Sequence, residues 1–403
     1  MITTRRRRRL RVLTVPLLGL VLVTGCQSSD AADTKNREPD AAVTDTARAR
    51  ITISPAGTGT GPVDPGHTVK VVTDRGTLTS VEVKPAGDEG VQVTGTWKNA
   101  RRTWQSDRTM TPDTAYVVEA TATNAAGGTT RTRSTFRTRA PKQVNGVTVT
   151  PSNGAVVGVG QPVSIAFDAP VRDRAAVERR LSVTTTPKTE GSWGWTRDPL
   201  TGTERVDWRP RHYWAKGTKV TMRAELSGVD TGGRHLRRDV STTFTTGTAR
   251  ISEVDLLKHT MTVFEDGKKA KVIPISGGEP RYPTWNGTMV VLGKQRLVRM
   301  TSESVNIDDP YDKNVPWAVH LTTSGTYVHA APWNEGKGYF GRVNKSHGCV
   351  GMSGANGKWF YKRSVPGDIV EVTGSRSATV ATGNGYGDWN LSFKQWRRLS
   401  SLR

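Results

Sequence analysis

The sequence contains very little cysteine: Cys26 and Cys349 are the only two in 403 residues. Acidic residues are also scarce, because 36 Asp and Glu stand against 58 Lys and Arg, giving a formal net charge of +22. After the N-terminus no apolar run approaches the roughly 20 residues that a membrane-spanning helix needs. These shortages exclude a framework of several disulfides and a protein that crosses a membrane repeatedly.

The N-terminus has the pattern of an export signal. Arginines at positions 5–9 and 11 precede an apolar run from Val12 to Val23, which is too short to remain as a transmembrane helix. The ending Val23-Thr24-Gly25-Cys26 resembles the bacterial lipobox, in which a lipid is attached to the cysteine sulfur. We therefore expect a signal peptide at 1–25, lipidation of Cys26, and a location on the extracytoplasmic face of the cell membrane, facing the wall. An ordinary signal peptide with an incidental Cys26 is the alternative.

The positive charge is interpreted in the light of that location. Without the six arginines of residues 1–25, which contain no acid, the net charge falls from +22 to +16. In a cytosolic protein this balance would indicate nucleic acid as a partner. Outside the membrane the available polyanions are wall polymers and lipid headgroups, so attraction to the wall is the preferred hypothesis, with simple solubilisation as the alternative.

Three domains are predicted after a polar tether at 26–48, which has too few apolar residues to fold. Short alternating runs rich in Thr and Val predict two tandem immunoglobulin-like β-sandwiches at 49–140 and 141–249. Both copies contain a tryptophan twelve residues before a Tyr or Val, then a Gly-Gly pair, and then the motif Thr-Phe-x-Thr. The shared positions are Trp97, Trp104, Tyr116, Gly127-Gly128 and Phe136, then Trp193, Trp208, Val220, Gly232-Gly233 and Phe244. We interpret the tryptophans as core residues and the two domains as spacers.

The third domain, at 250–376, is predicted to be mostly β, which makes the whole chain mainly β. Two apolar-alternating runs around Asp266-Gly267 predict a hairpin, and only Asn356–Arg363 has the pattern of a helix. Residues 377–403 form a C-terminal extension that we expect to pack on this domain.

Cys349 has no intrachain partner for a disulfide if Cys26 is lipidated. A thiol is only a few per cent ionised at neutral pH and needs an adjacent base, which His329 or His347 can supply. Gly348 lacks a Cβ, so consecutive N–H groups there can point at an oxyanion. Two alternatives remain open: a zinc site, which lacks a clear fourth ligand, and an inert buried cysteine beside a loop histidine.

These residues carry a resemblance. His329, followed after a loop by Ser346-His347-Gly348-Cys349, resembles the catalytic motif of the L,D-transpeptidases. Further segments resemble the actinobacterial members that carry two immunoglobulin-like domains, namely Val254-Asp255-Leu256, Thr260 to Gly267, Asn286-Gly287-Thr288, His329 to Trp333, Gly387 to Asn390 and Gln395-Trp396. The resemblance implies a mostly β L,D-transpeptidase catalytic domain with no cofactor and no metal.

The resemblance also implies a role for each residue of the motif. Cys349 would attack the carbonyl of the third, diamino-acid residue of a peptidoglycan tetrapeptide stem. His329 would activate the thiol, with its ring oriented by the carbonyl of Ala330. His347 would contact substrate, and the backbone of Gly348 and Cys349 would hold the oxyanion.

The same comparison assigns substrate contacts outside the motif. Tyr311 matches a tyrosine that covers the substrate, while Ser324, Gly325 and Ser346 match substrate-contacting positions. Gly351 stands where family members commonly have Asn or Arg, so a side-chain contact is lost there.

The expected function is peptidoglycan 3→3 cross-linking by cysteine acyl transfer to the side-chain amine of an acceptor stem. The alternatives are an L,D-carboxypeptidase, which uses water as acceptor, and a non-catalytic lipoprotein that binds the wall. Expected partners are stem peptides, the membrane through the lipid, and carbapenem β-lactams as covalent inhibitors. We expect a monomer and no nucleic-acid partner.

Lipidation of Cys26 is directly testable. Two acyl chains, at about 0.8 kcal/mol per buried methylene, hold a protein on a membrane where one chain barely does. Cells grown with a labelled fatty acid should therefore yield a labelled, membrane-bound protein. An unlabelled protein would contradict the anchor.

Overall fold

Two β-sandwiches and a third, mostly β domain follow one another along the chain. The computed structural model describes residues 48–55, 61–87, 92–303 and 308–402. The expected signal peptide, lipidated Cys26 and most of the tether lie outside these residues. No helix among the described residues has the length and apolar character that crossing a membrane requires.

The first sandwich has seven strands in two antiparallel sheets, β1 to β7. One sheet has the order β1-β2-β5-β4 and the other β3-β6-β7. The strands are β1 Ile51–Ser54, β2 Lys70–Thr73, β3 Thr77–Pro85, β4 Gly95–Lys98, β5 Thr103–Ser106, β6 Ala115–Thr123 and β7 Thr129–Arg137. Alternate residues of these strands turn inward, so Val71, Val83 and Val118 meet in one core.

The second sandwich repeats this topology. Its sheets have the orders β12-β13-β10-β8 and β11-β14-β15-β9. Its elements are β8 Val147–Thr150, β9 Val156–Val157, β10 Val163–Phe167, α1 Arg174–Glu178, β11 Leu181–Thr186, β12 Gly191–Arg197, β13 Glu204–Pro210, β14 Lys219–Ala224 and β15 Val240–Thr246. Strand β9 pairs in parallel with β15, and Val63 of the first sandwich makes the equivalent parallel bridge to Thr138.

The tryptophan repeat has a common structural basis in both copies. Trp97 lies opposite Trp104 across β4 and β5, and Trp193 lies opposite Trp208 across β12 and β13. Trp104, Trp193 and Trp208 are buried, while Trp97 packs on the edge of its core. The interpretation of these tryptophans as core residues, and of the two copies as one fold, is therefore confirmed.

The third domain has two sheets with one helix packed on them. The sheets have the orders β18-β17-β16-β24-β19 and β20-β21-β22-β23. The elements are β16 Arg250–Asp255, β17 Thr260–Glu265, β18 Lys268–Pro274, β19 Gly287–Val290, β20 Gly293–Thr301, β21 Asp312–His320, β22 Tyr327–Ala330, β23 Val350–Met352, α2 Gly354–Arg363 and β24 Ile369–Thr373. The mainly β class predicted for the chain is confirmed.

Local signals account for the hairpin and the helix of this domain. Asp266 and Gly267 both have positive φ, at 50° and 77°, which suits the tight turn between β17 and β18. Helix α2 begins two residues before the predicted Asn356, because the Ser353 side chain accepts the Asn356 N–H as an N-cap.

The second sandwich and the third domain share a hydrophobic core. Val290 and Ile369 of the third domain belong to the same buried cluster as Val163 of the second sandwich. The backbones also touch, since Gly158 N–H donates to Pro366 O at 2.8 Å, and a Cβ on Gly158 would lie 2.2 Å from a backbone atom of Gly367. The second sandwich is therefore built into the third domain and is not the independent spacer that the sequence suggested.

The C-terminal extension packs on both neighbours. It contains a 3-10 helix at Gly387–Asn390 and helix α3 at Phe393–Arg397. Asn390 bonds to the backbone of Thr288 in β19, whereas the Trp396 indole donates to Ser192 O in β12 at 2.8 Å. The extension therefore packs on the third domain, as the sequence analysis expected, and also on the second sandwich.

Trp396 should contribute strongly to stability. It is fully buried, and its ring packs directly on Gly194 of β12. A Cβ on Gly194 would lie 2.7 Å from the ring, so the indole occupies the space that a side chain at position 194 would need. We expect Trp396→Ala to lower the free energy of unfolding by about 3–5 kcal/mol. The exposed Lys394→Ala on the same helix should change it by less than about 0.5 kcal/mol. Urea unfolding measures both, and equal losses would contradict this packing.

Candidate active site

Two parallel strands place the predicted catalytic residues next to each other. His329 lies in β22 directly opposite Gly351 in β23, and Cys349 immediately precedes β23. Residues 331–349 form the crossover that a parallel pair requires. Both Cys349 and His329 line one cavity of about 380 Å³.

Cys349 is a protonated thiol at neutral pH. The residue is partly exposed, but its Sγ is surrounded by protein atoms and lies 3.7 Å from the carbonyl oxygen of Gly325. Burial raises the pKa of the thiol to about 11, and the backbone amide of Tyr327 only partly offsets this effect. The sulfur therefore needs a base at the moment it reacts.

His329 has the tautomer and charge that a base needs. The ring is buried, and its Nδ1 lies 2.8 Å from the carbonyl oxygen of Ala330. Because a carbonyl can only accept, Nδ1 carries the proton and Nε2 is left as the proton acceptor. Burial and, to a smaller extent, the charge of Lys313 lower the pKa of His329 to about 4. The hydrogen bond to Ala330 raises the pKa and offsets only part of this effect.

The turn at 346–349 is held by Ser346. Its Oγ donates to the carbonyl oxygen of Cys349 and accepts the N–H of Gly348 at 3.2 Å. Gly348 has φ of 112°, which a residue with a side chain rarely adopts. The Gly348 N–H therefore already donates to Ser346 Oγ. It must give up this long hydrogen bond before it can donate to an oxyanion.

His347 is fixed by aromatic and acidic neighbours. Its Nε2 lies 2.8 Å from Asp309 Oδ2, and its ring is 5.0 Å from that of Tyr311 and 5.1 Å from that of Tyr282. The adjacent Asp308 accepts from the Tyr282 hydroxyl at 2.6 Å. The sequence gave no indication that Asp309 is a partner of His347 or that Asp308 is a partner of Tyr282.

The same cavity brings together every site residue predicted in the third domain. Its lining includes the predicted substrate positions Tyr311, Ser324, Gly325, Ser346 and Gly351. A Cβ on Gly351 would lie 3.3 Å from Cβ of Ala331 and 3.9 Å from Cε1 of His329, so the backbone here packs closely beside the ring. Among the described residues, no group of three or more His, Cys, Asp or Glu side chains is arranged to hold a metal ion.

Sequence reasoning missed two features of the cavity. Lys313, Lys337 and Lys345 line it, and the part of the lining that the structure describes contains no Asp or Glu. Asn384 of the C-terminal extension binds the turn that carries Ser324. The sequence gives no local signal for either feature. The lysines are distributed over 33 residues, and Asn384 lies 60 residues from its partner Ser324.

A buried histidine in β22 and a free thiol immediately before the adjacent parallel strand thus lie together in a lysine-lined cavity. Comparisons with known proteins give the family of the chain. Residues 249–372 match the L,D-transpeptidase catalytic domain, and residues 60–230 match the bacterial Ig domain. L,D-transpeptidase 2 of Mycobacterium tuberculosis is 36% identical over 334 residues, which cover 82% of this chain and 79% of that protein. The chain belongs to the L,D-transpeptidase family and is an acyltransferase of that family.

The chain is also similar to two further proteins. L,D-transpeptidase 5 of Mycobacterium tuberculosis is 32% identical over 317 residues, which cover 78% of this chain and 69% of that protein. The solved structure of the transpeptidase LdtMt1 in complex with imipenem is 36% identical, covers 57% of this chain and all of that one, and has a TM-score of 0.49.

The burial of His329 should make stability depend on pH. The unfolded chain protonates this histidine near pH 6.5, whereas the folded chain keeps it neutral down to about pH 4. The unfolded state therefore binds more protons in this range, and stability is lost as pH falls from 6.5 to 4. From this group alone, we expect the free energy of unfolding to be about 2–3 kcal/mol lower at pH 4.5 than at pH 7.

The matched control is His329→Gln, which cannot titrate. Urea unfolding at both pH values should show a smaller loss in the variant than in the wild type. The same loss in both proteins would contradict a neutral, buried His329.

Proposed function

We propose that Cys349 is the nucleophile and His329 the general base of a two-step acyl transfer on peptidoglycan stems. Cys349 attacks the carbonyl of the third stem residue while its proton passes to Nε2 of His329. The bond to the terminal D-alanine breaks, His329 gives the proton to the leaving amine, and a thioester remains. The side-chain amine of an acceptor stem then attacks the thioester, His329 takes its proton, and the thiol is released with a 3→3 cross-link formed.

The observation that carries this proposal is the bond between His329 Nδ1 and Ala330 O, at 2.8 Å, on the strand next to Cys349. It supports an imidazole whose free nitrogen accepts a proton. A thiol with a pKa of about 11 and a base with a pKa of about 4 do not exchange a proton at rest. Proton transfer is therefore expected together with attack on the carbonyl, when sulfur no longer has to bear a full charge.

The charge of the cavity supports an anionic donor. Lys313, Lys337 and Lys345 line the cavity that contains the thiol, and a tetrapeptide stem ends in a carboxylate. The Lys313 ammonium lies over the Trp333 ring at 5.1 Å, which holds it on the wall of the cavity. His347, held by Asp309 between Tyr282 and Tyr311, is proposed as a substrate contact on the opposite wall.

The proposal places the enzyme on the outer face of the membrane through a lipid on Cys26. The export signal pattern and the net charge of +22 support a lipoprotein that faces an anionic wall. Carbapenems are proposed as covalent inhibitors, because Cys349 would open their strained ring by the same attack on a carbonyl.

The test is a muropeptide assay with tetrapeptide stems. The wild type should produce dimers with release of D-alanine, and Cys349→Ser should lower the rate by several orders of magnitude, because a hydroxyl is far less acidic than a thiol. Cys26→Ser removes the other cysteine. This variant should be as active as the wild type when both are assayed without detergent.

Three outcomes separate the possible functions. Dimers that depend on Cys349 support transpeptidation. Tripeptides alone would indicate an L,D-carboxypeptidase that uses water as acceptor. Equal product from the wild type and a folded Cys349→Ser variant would refute the nucleophile.

A further inference from the structure

The catalytic thiol is paired with a short turn between β21 and β22. This thiol turn, residues 322–325, provides the carbonyl oxygen of Gly325, which lies 3.7 Å from Cys349 Sγ. The turn is closed by Gly325 N–H bonded to Thr322 O at 3.0 Å, and by Thr326 N–H bonded to Thr322 Oγ1 at 2.9 Å. A displacement of the turn therefore changes both the direction of the thiol and the charge around it.

Asn384 of the C-terminal extension holds the thiol turn from outside the third domain. Its side chain is buried, with 4% of the residue exposed. Its Oδ1 accepts the Ser324 N–H and the Thr323 hydroxyl, each at 2.9 Å, and its Nδ2 donates to Ser324 Oγ at 2.8 Å. One side chain thus makes three hydrogen bonds to two adjacent residues of the turn.

Arg205 of the second sandwich holds the segment on which Asn384 stands. Its guanidinium donates to the carbonyl oxygens of Thr382, Gly383 and Gly385, on both sides of Asn384. Its Nε donates to Asp207 Oδ2 at 2.6 Å, so the guanidinium is anchored within β13. A guanidinium fork is rigid and has no acceptor, which suits it to fixing several carbonyls at once.

We propose that Asn384 and Arg205 are positioning residues for the acyl transfer. Arg205 of the second sandwich fixes the position of the extension, and Asn384 of the extension fixes the position of the thiol turn. The turn in turn fixes the position of the Cys349 side chain. Neither residue touches substrate or sulfur. The proposal rests on Cys349 being the nucleophile, and it makes the second sandwich part of the catalytic apparatus.

The test compares two asparagines of the same extension in the full chain. Asn384→Ala removes the bonds to the thiol turn, whereas Asn390→Ala removes equivalent bonds to the backbone of Thr288, which is not in the turn. Two rates are measured: alkylation of Cys349 by iodoacetamide across pH, and acylation by imipenem at pH 7. Urea unfolding gives the loss of stability in each variant.

Asn384→Ala should give a combination of effects that weaker packing does not. Loss of the Gly325 carbonyl as partner favours the thiolate, so the midpoint of alkylation should move to lower pH by about half to one unit. Acylation should nevertheless become about ten to a hundred times slower, because the sulfur is misplaced. Asn390→Ala should lose similar stability with an unchanged alkylation midpoint and acylation within about twofold of the wild type.

Thr323→Val is a conservative second variant, since it removes only the hydroxyl that donates to Asn384. It should shift both readouts in the same direction as Asn384→Ala, to a smaller extent. Unchanged readouts in both Asn384→Ala and Thr323→Val, or equal changes in Asn384→Ala and Asn390→Ala, would overturn the proposal. If Cys349→Ser keeps its transpeptidation activity, the proposed function is refuted. A shifted alkylation midpoint in Asn384→Ala would in that case still show that Asn384 controls the environment of the thiol.

Discussion

A buried arginine of the second sandwich, Arg205, binds the C-terminal extension on both sides of Asn384, the residue that holds the turn beside Cys349. Burial opposes the charge of Arg205, but Asp207 and Asp388 raise its pKa above the ordinary value. Burial and the neighbouring Asp207 in turn raise the pKa of Asp388 well above its ordinary value, while the charges of Arg205 and Arg209 oppose this shift. The close ion pair is the one with Asp207 inside β13, and breaking a buried pair of this kind typically costs about 3–5 kcal/mol, so it fixes the guanidinium that donates to the carbonyls of the extension.

This constraint explains why the second sandwich and the catalytic domain cannot be treated as separate modules. The guanidinium of Arg205 reaches three carbonyls of the extension, and Tyr213 of the same sandwich donates to Glu371 in β24 at 2.7 Å. Because the extension also carries Asn384, packing between the domains reaches the turn that contacts the thiol of Cys349. The first sandwich has its own core and is linked to the second by surface contacts such as Arg108 with Asp239.

Features encoded by neighbouring residues could be predicted from the sequence. The Asp266-Gly267 hairpin and the two-residue alternation of the strands follow from local turn chemistry and side-chain period. A thiol and two histidines close in sequence limited the chemistry, and the resemblance to the L,D-transpeptidases selected His329 as the base. Asp309, Asn384 and Arg205 were out of reach, because each is a polar residue whose partner lies 38 to 180 residues away. Their function comes from tertiary contacts alone.

The central claim is that Arg205 and Asn384 act on the thiol through one continuous path. A double-mutant cycle on the rate of Cys349 acylation by imipenem, with Arg205→Lys and Asn384→Ala, tests it most directly. If the path is shared, the second substitution has little left to remove, and the double variant should be about as slow as the slower single variant. Fully additive losses, with each substitution slowing acylation by the same factor in either background, would contradict the account.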